Sequence, residues 1–265
     1  MRGRVLIVAG SDSGGGAGIQ ADIKTVTMLE AFAATAVTAL TAQNTEGVFG
    51  ILPIAPDFIR RQMEVVLDDI GADAVKTGML HDAAVIETVA AVLAERAAQV
   101  PLVVDPVMVA KGGAPLIEPS AIDALKRLLV SRAAVLTPNL PEAEILAGCS
   151  IESRAAMEET ARALLDLGCR AVLLKGGHLL GDTVYDVLAT ASDVRVWESP
   201  RIDSRHTHGT GCTLASAIAA GLAQGLAVEA AVERARDYVQ RAIARAPGFG
   251  HGHGPLDHAH PLHAK

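Results

Sequence analysis

Short, almost wholly apolar runs that end in polar clusters recur along this chain, and they leave few folds open. The runs are RVLIVAG (4–10), AATAVTALTAQ (33–43), ADAVKTGML (72–80), PLVVDPV (101–107), AAVLTPN (133–139) and AVLLKGG (171–177). Strands buried on both faces of a parallel sheet read this way. Helical stretches fall between them: AGIQADIKTVTMLE (17–30), and a helix opened by Pro56 and Asp57 with Ile59, Met63, Val66, Leu67 and Ile70 on one face. Asp82 caps another that carries Val85, Ile86, Val89, Val92 and Leu93. A further helix is predicted between 107 and 133, and one from about 154 to 167. TVYDVLA and DVRVWESPRI, joined at 190–192, read as an antiparallel hairpin. Helices near 212–224 and 228–245 follow, and the tail from about 247 reads as an irregular, solvated end.

Repeated βα units imply an α/β fold with a mostly parallel sheet, helices on both faces and right-handed crossovers. Neither a linker nor an internal repeat divides the 265 residues, so one domain is expected. Only 3% of the chain is aromatic while 50% is hydrophobic, so Ala, Val, Leu and Ile must build the core. The formal charge of −7, without a basic stripe, argues against a nucleic-acid partner. It does not argue against phosphate, which helix N-termini and single lysines bind locally. Cys149, Cys169 and Cys212 are odd in number and lack paired spacing, as expected of reduced thiols in a cytoplasmic protein. The apolar run near the N-terminus is too short for a signal peptide, and no stretch reads as a membrane span.

Ligands of open α/β sheets bind beyond the carboxyl ends of the strands. The polar clusters of this chain lie at those ends: 10–18, 43–45, 76–79, 105–107, 137–142 and 175–178. GSDSGGGAGIQA (10–21) fits a dinucleotide fingerprint, but the second strand ends in Gln43-Asn44 rather than the acidic residue such a site needs. A glycine-rich loop that brings backbone close to a small substrate fits better, with Gln43 offering a donor and an acceptor to a heterocycle edge. No GxxxxGK[ST] is present. Lys175 at its strand end is either a phosphate ligand or a solvated lysine. Asp105 and Glu142 are either carboxylates for Mg²⁺, or a turn former and a first-turn helix acid. HGTGCT (208–213) is the sharpest motif. Gly209 to Cys212 place unpaired N–H groups at a helix start, an anion hole for a transferring phosphoryl group; the alternative is a glycine turn beside a buried thiol. The tail histidines His251, His253, His258, His260 and His263 match no zinc spacing.

Together, GSDSGGGAGIQAD, TAQNTEGV, KTGML, DPVMVAKGG, TPNLPEAE, LLKGGH, THGTGCTL and GHGHGP resemble, over nearly the full chain, the bacterial hydroxymethylpyrimidine/phosphomethylpyrimidine kinases of the ribokinase-like superfamily. The resemblance implies a three-layer ribokinase-like sandwich. It implies ATP-dependent phosphorylation of 4-amino-5-hydroxymethyl-2-methylpyrimidine, then of its monophosphate, for thiamine biosynthesis, with ATP and Mg²⁺ as cofactors and a homodimer as assembly. By motif position it implies that Gln43 binds the pyrimidine amino edge, that Gly10, Ala17, Met79 and Val107 line the pocket, and that Asp22 sits near the substrate side. Asp105 and Glu142 would organise Mg²⁺. Asn139, Lys175, Thr207, Gly209 and Gly211 would meet ATP. Lys175 with Gly209, Thr210 and Gly211 would stabilise the transfer, and Cys212, where many relatives carry Asp, would be the base in the first transfer. Gly112 and Ala114 depart from the family pattern in a loop expected to close over substrate, and His206 stands where Asn is common. The nearest rival is a pyridoxal kinase of the same fold; a non-catalytic pyrimidine-binding regulator is a third reading.

Overall fold

The computed structural model describes residues 1–108 and 118–263, and every strand in it joins one nine-stranded sheet. The expected segments form β1 (Arg4–Asp12), α1 (Gly18–Met28), β2 (Phe32–Gln43), α2 (Pro56–Asp69), β4 (Ala74–Thr77), α3 (Ala83–Arg96), β5 (Leu102–Val104), α4 (Pro119–Leu128), β6 (Val135–Leu136) and β7 (Ala171–Lys175). Between β2 and α2 lies a strand absent from the sequence reading, β3 (Val48–Pro53). Between β6 and β7 come α5 (Leu140–Ala147) and α6 (Arg154–Ala163). The hairpin β8 (Thr183–Thr190) and β9 (Val194–Pro200) precedes α7 (Thr210–Ala223) and α8 (Val228–Ala244). The order across the sheet is β3-β2-β1-β4-β5-β6-β7-β8-β9. β2, β1, β4, β5, β6 and β7 run parallel, while β3 and β8 are antiparallel to their inner neighbours.

Alternation along each strand divides the core in two. Leu6 and Val8 of β1 face one cluster with Ile59, Met63, Val85, Ile86, Val89 and Met157, from α2, α3 and α6. Val5 and Ile7 face the other, with Val26, Ile218 and Val232, from α1, α7 and α8. The helices therefore cover both faces, in three layers.

Three local readings are corrected. β3 was passed over because Gly50 and Pro53 break its period and its side chains are largely exposed; Asn44 makes the turn before it, its Oδ1 accepting from the Glu46 and Gly47 amides. α5 is too short to show a helical period, but its capping box is plain: Asn139 Oδ1 accepts from the Glu142 amide at 2.9 Å and Glu142 Oε2 from the Asn139 amide at 2.8 Å. The tail is largely irregular and exposed at His251, His253 and His263, as expected, but His258 and His260 are buried. His258 and His260 are each 5% exposed. The Tyr238 hydroxyl donates to the His258 carbonyl at 2.6 Å, and the Tyr238 and His260 rings lie 4.7 Å apart. Burial pushes the His258 imidazole down to about 4, so it packs as a neutral ring against Thr213 Oγ1, 2.9 Å away.

The Asp82 cap is as read: its side chain accepts from the Val85 amide at 2.9 Å. Asp82→Ala should lower unfolding stability by about 1 kcal/mol, measured by denaturant titration.

Candidate active site

A cleft of about 1150 Å³ opens along the carboxyl ends of the parallel strands. It lies across the point where the chain moves from β1 outward to β2 on one side and to β4 on the other, the switch point at which open sheets bind ligands. Gly10, Ala17, Gln43, Met79 and Val107 line one end, and Asn139, Glu142, Lys175 and Thr207 the other. Gly209, Thr210, Gly211 and Cys212 stand between them.

The glycine turns are required by close approach. Gly209, the N-cap of α7, has φ 80°, and a Cβ there would fall 1.8 Å from the Gly16 carbonyl oxygen. A Cβ on Gly211 would lie 3.2 Å from Lys175 Nζ. Both glycines thus let the N-terminus of α7 press against the strand ends, where its first amides have no partner within the helix. The Cys212 thiol sits in the first turn of α7.

Charged side chains gather beneath. Lys175 Nζ lies 3.0 Å from Asp105 Oδ1, and Thr137 Oγ1 lies 3.3 Å from the same oxygen. Burial works against the charge on Lys175, but Asp105, Glu142 and Cys212 outweigh it and hold the ammonium firmly protonated. Burial pushes the Glu142 carboxyl up to about 7, with Asp105 adding to the rise and Lys175 opposing it.

Asp22 is corrected in place. It is fully buried under the cleft floor, bound through both oxygens to Lys76 Nζ at 2.9 Å and accepting from Ser216 Oγ at 2.6 Å. Lys76 itself lines the cleft; the sequence places it in the strand-end cluster 76–79 and in KTGML but gives it no role, although a lysine inside the apolar run ADAVKTGML is the signal that could have suggested one. Asp12 and His208 were missed as well; they join the glycine-rich loop to the start of α7. The loop with Gly112 and Ala114 lies outside the described residues. His206, at the departure from the family pattern, packs within reach of Gly248 and Gly254 of the tail.

Burial pushes the Cys212 thiol up to about 12; Lys76 pulls it down, and Asp22 and Asp105 push it further up. At neutral pH it is a thiol. The cysteines are all free, as read: Cys149 exposed, Cys169 buried and Cys212 partly buried. Among the described residues no cluster of three or more His, Cys, Asp or Glu could hold a metal, and no helix is long and apolar enough to cross a membrane.

A sequence model of the family described as phosphomethylpyrimidine kinase matches residues 12–257. The chain is 53% identical over 257 residues to the thiamine biosynthesis bifunctional protein ThiED of Geobacter sulfurreducens, covering 97% of this chain but only 52%, about half, of that longer protein. It is 48% identical to the hydroxymethylpyrimidine/phosphomethylpyrimidine kinase of Streptomyces coelicolor, over 97% of this chain and 95% of that one. Among solved structures it resembles an ADP complex of Bacillus subtilis pyridoxal kinase, with TM-score 0.92, 37% identity and 100% of both chains covered. It also resembles a phosphomethylpyrimidine kinase of Clostridium difficile, with TM-score 0.81, 39% identity, and 91% and 99% of the two chains covered.

The elevated thiol predicts reactivity. Iodoacetamide at pH 7 should label exposed Cys149 readily and Cys212 slowly, with Cys212 labelling still rising above pH 9, followed by peptide mass spectrometry.

Proposed function

The chain belongs to the phosphomethylpyrimidine kinase family, and on that premise we propose that it transfers the γ-phosphoryl group of ATP to hydroxymethylpyrimidine, and then a second phosphoryl group to the monophosphate. One observation carries the reading. A heterocycle-sized pocket ending in Gln43 and an anion-binding helix start beside Lys175 share one cleft, with a thiol between them.

In this mechanism ATP lies over β6 to β9. Its base meets the apolar wall of Val184, Ile202, Val239 and Ile243, and its phosphates point to Lys175 and the amides of Gly209 to Cys212. Asn139 and Thr207 stand on the nucleotide side. The pyrimidine lies over β1, β2 and β4, between Met79 and Val107, with its amino edge on Gln43. Phosphoryl transfer through a loose transition state needs alignment and charge stabilisation above all, and the α7 amides with Lys175 supply these at the position of developing charge. Asp105 and Glu142 fit Mg²⁺: they are hard oxygen donors, and Asp105 helps to raise Glu142, a repulsion that a cation relieves. Bound there, Mg²⁺ would neutralise phosphate charge.

A primary alcohol loses its proton only as the new bond forms. Cys212 acts as base only as the thiolate: as the complex forms its own proton passes to solvent in the cleft, Lys76 stabilises the sulfur anion, and the thiolate then takes the alcohol proton in the first transfer. The second transfer attacks through a phosphate oxygen that is already ionised and needs no base. The protein acts in the cytoplasm as one kinase domain. It pairs as a homodimer through the sheet edge at β3, where Phe49 is 72% and Leu52 62% exposed.

Each step is separable in assay. Cys212→Ser should lower kcat for hydroxymethylpyrimidine about 10²- to 10⁴-fold and leave turnover of the monophosphate nearly unchanged. An unaltered first step would sink the base assignment. Lys175→Met should depress both steps. A kcat/KM for pyridoxal far above that for hydroxymethylpyrimidine would replace this reading with the pyridoxal kinase, whose solved relatives share the backbone. Phe49→Lys should shift the protein toward monomer in light scattering.

A further inference from the structure

His208 lies one residue before the helix-capping Gly209 and faces two partners at once. Its Nε2 is 2.9 Å from Asp12 Oδ2 and 3.2 Å from the Gln43 side-chain amide. Asp12 is almost fully buried and accepts from the amides of Gly14, Gly16 and Ala17 at 2.8, 3.1 and 2.8 Å. Burial opposes its charge, but the His208 bond and the loop amides outweigh burial and hold the carboxyl below its usual range. Asp12 is therefore an acceptor only, and His208 must present Nε2–H to it.

That assignment decides the next one. A ring N–H cannot accept from the Gln43 NH₂ group. On the other side of the amide, Thr41 Oγ1 lies 2.9 Å from the Ser11 carbonyl and 3.2 Å from the Gln43 oxygen position, and its single proton is used by Ser11. Both contacts are satisfied when the amide oxygen faces His208, sharing the single Nε2–H with Asp12 in a three-centre bond, and the NH₂ faces Thr41, an exchange that leaves every heavy atom in place. Gln43 then offers the cleft one acceptor lone pair and one N–H in a fixed order.

We infer that the Asp12–His208 pair is a specificity device that locks the order of donor and acceptor which Gln43 presents to the substrate ring. The matching edge has a ring nitrogen acceptor next to an exocyclic amino donor, as in an aminopyrimidine. A pyridine that carries a hydroxyl and no adjacent amino group lacks that edge. Released from His208, the amide turns freely and half of the discrimination rests on nothing. His208 is a positioning residue, acting through Gln43. The inference rests on the proposed pyrimidine kinase reading.

The test uses the full chain with Mg-ATP, and compares hydroxymethylpyrimidine and pyridoxal as phosphate acceptors. His208→Ala should raise KM for the pyrimidine about three- to tenfold, the range of one hydrogen bond, with little change in kcat. The preference over pyridoxal should fall by the same factor. His208→Gln, whose amide N–H has similar reach, should restore most of it. In a Gln43→Ala background, His208→Ala should add no further change in KM. Should His208→Ala not fold, His208→Asn, too short to reach Gln43, carries the same readout. An equal fall in kcat for both acceptors, or a KM effect that persists without Gln43, overturns the inference alone. A wild-type protein that does not turn over the pyrimidine overturns the parent reading and this one with it.

Discussion

The site depends on how closely two glycine turns from distant parts of the chain approach each other. A Cβ on Gly16 would meet the His208 ring at 2.6 Å, and one on Gly209 would strike the Gly16 backbone. Without side chains at these two positions, the start of α7 lands on the loop after β1. The first amides of α7, the Cys212 thiol and Gln43 then share one cleft. α7 reaches that place because its small residues pack against α1, α8 and the sheet: Ala215, Ala217, Ala219 and Ala220 are all fully buried. The tail fixes the turn from outside, with the His208 amide donating to the Gly254 carbonyl and the Thr213 hydroxyl meeting His258. A poor supply of aromatic residues is thus no weakness here, since close helix approach is what the active site requires.

Charge is arranged to be nearly balanced before substrate enters. Lys76 is paired with Asp22, Lys175 with Asp105, and burial pushes the Glu142 carboxyl up to about 7, while Cys212 stays a thiol. Unpaired ions so deep in the fold would be costly, and removing one member of such a pair costs more than the pair contributes. In the proposed mechanism, a phosphate arriving at Lys175 replaces Asp105 as its partner and frees that carboxylate for a cation.

Much of this was legible in the sequence, and the reasons differ by element. The buried strands announced themselves as continuous apolar runs, and the strand-end clusters pointed to the cleft because the parallel fold collects them on one edge. HGTGCT could be read as a helix start because glycine, hydroxyl and small apolar residues fall in a fixed order there. β3 was hidden by its exposure, since an edge strand with Gly50 and Pro53 shows no period. Asp22 and Lys76 were misjudged or overlooked because each looks ordinary alone; only the fold brings helix α1 over strand β4 and closes the pair. The tail histidines read as polar and free, which holds for exposed His251, His253 and His263, but Tyr238 of α8 supplies a ring and a hydroxyl that draw in His258 and His260. Asp12 belongs to the same class, since its meaning depends on a histidine 196 residues away.

In the proposed mechanism the electrostatics also explain why a thiol suits the position of Cys212. Asp22 and Asp105 already lie close enough to push the Cys212 thiol up. A carboxylate in that slot would add a third negative charge beside two anions, with an ATP triphosphate still to come. Its ionised form would be opposed by both acidic neighbours at all times, with Lys76, shared with Asp22, the cation set against them. A thiol avoids the conflict by resting neutral, giving up its own proton to solvent only when it is needed as base. It gives up readiness as a base and gains a cleft that admits a polyanion. In a loose transition state that exchange is favourable, because proton removal comes late and the greater part of the barrier is set by alignment and by charge on the phosphoryl oxygens.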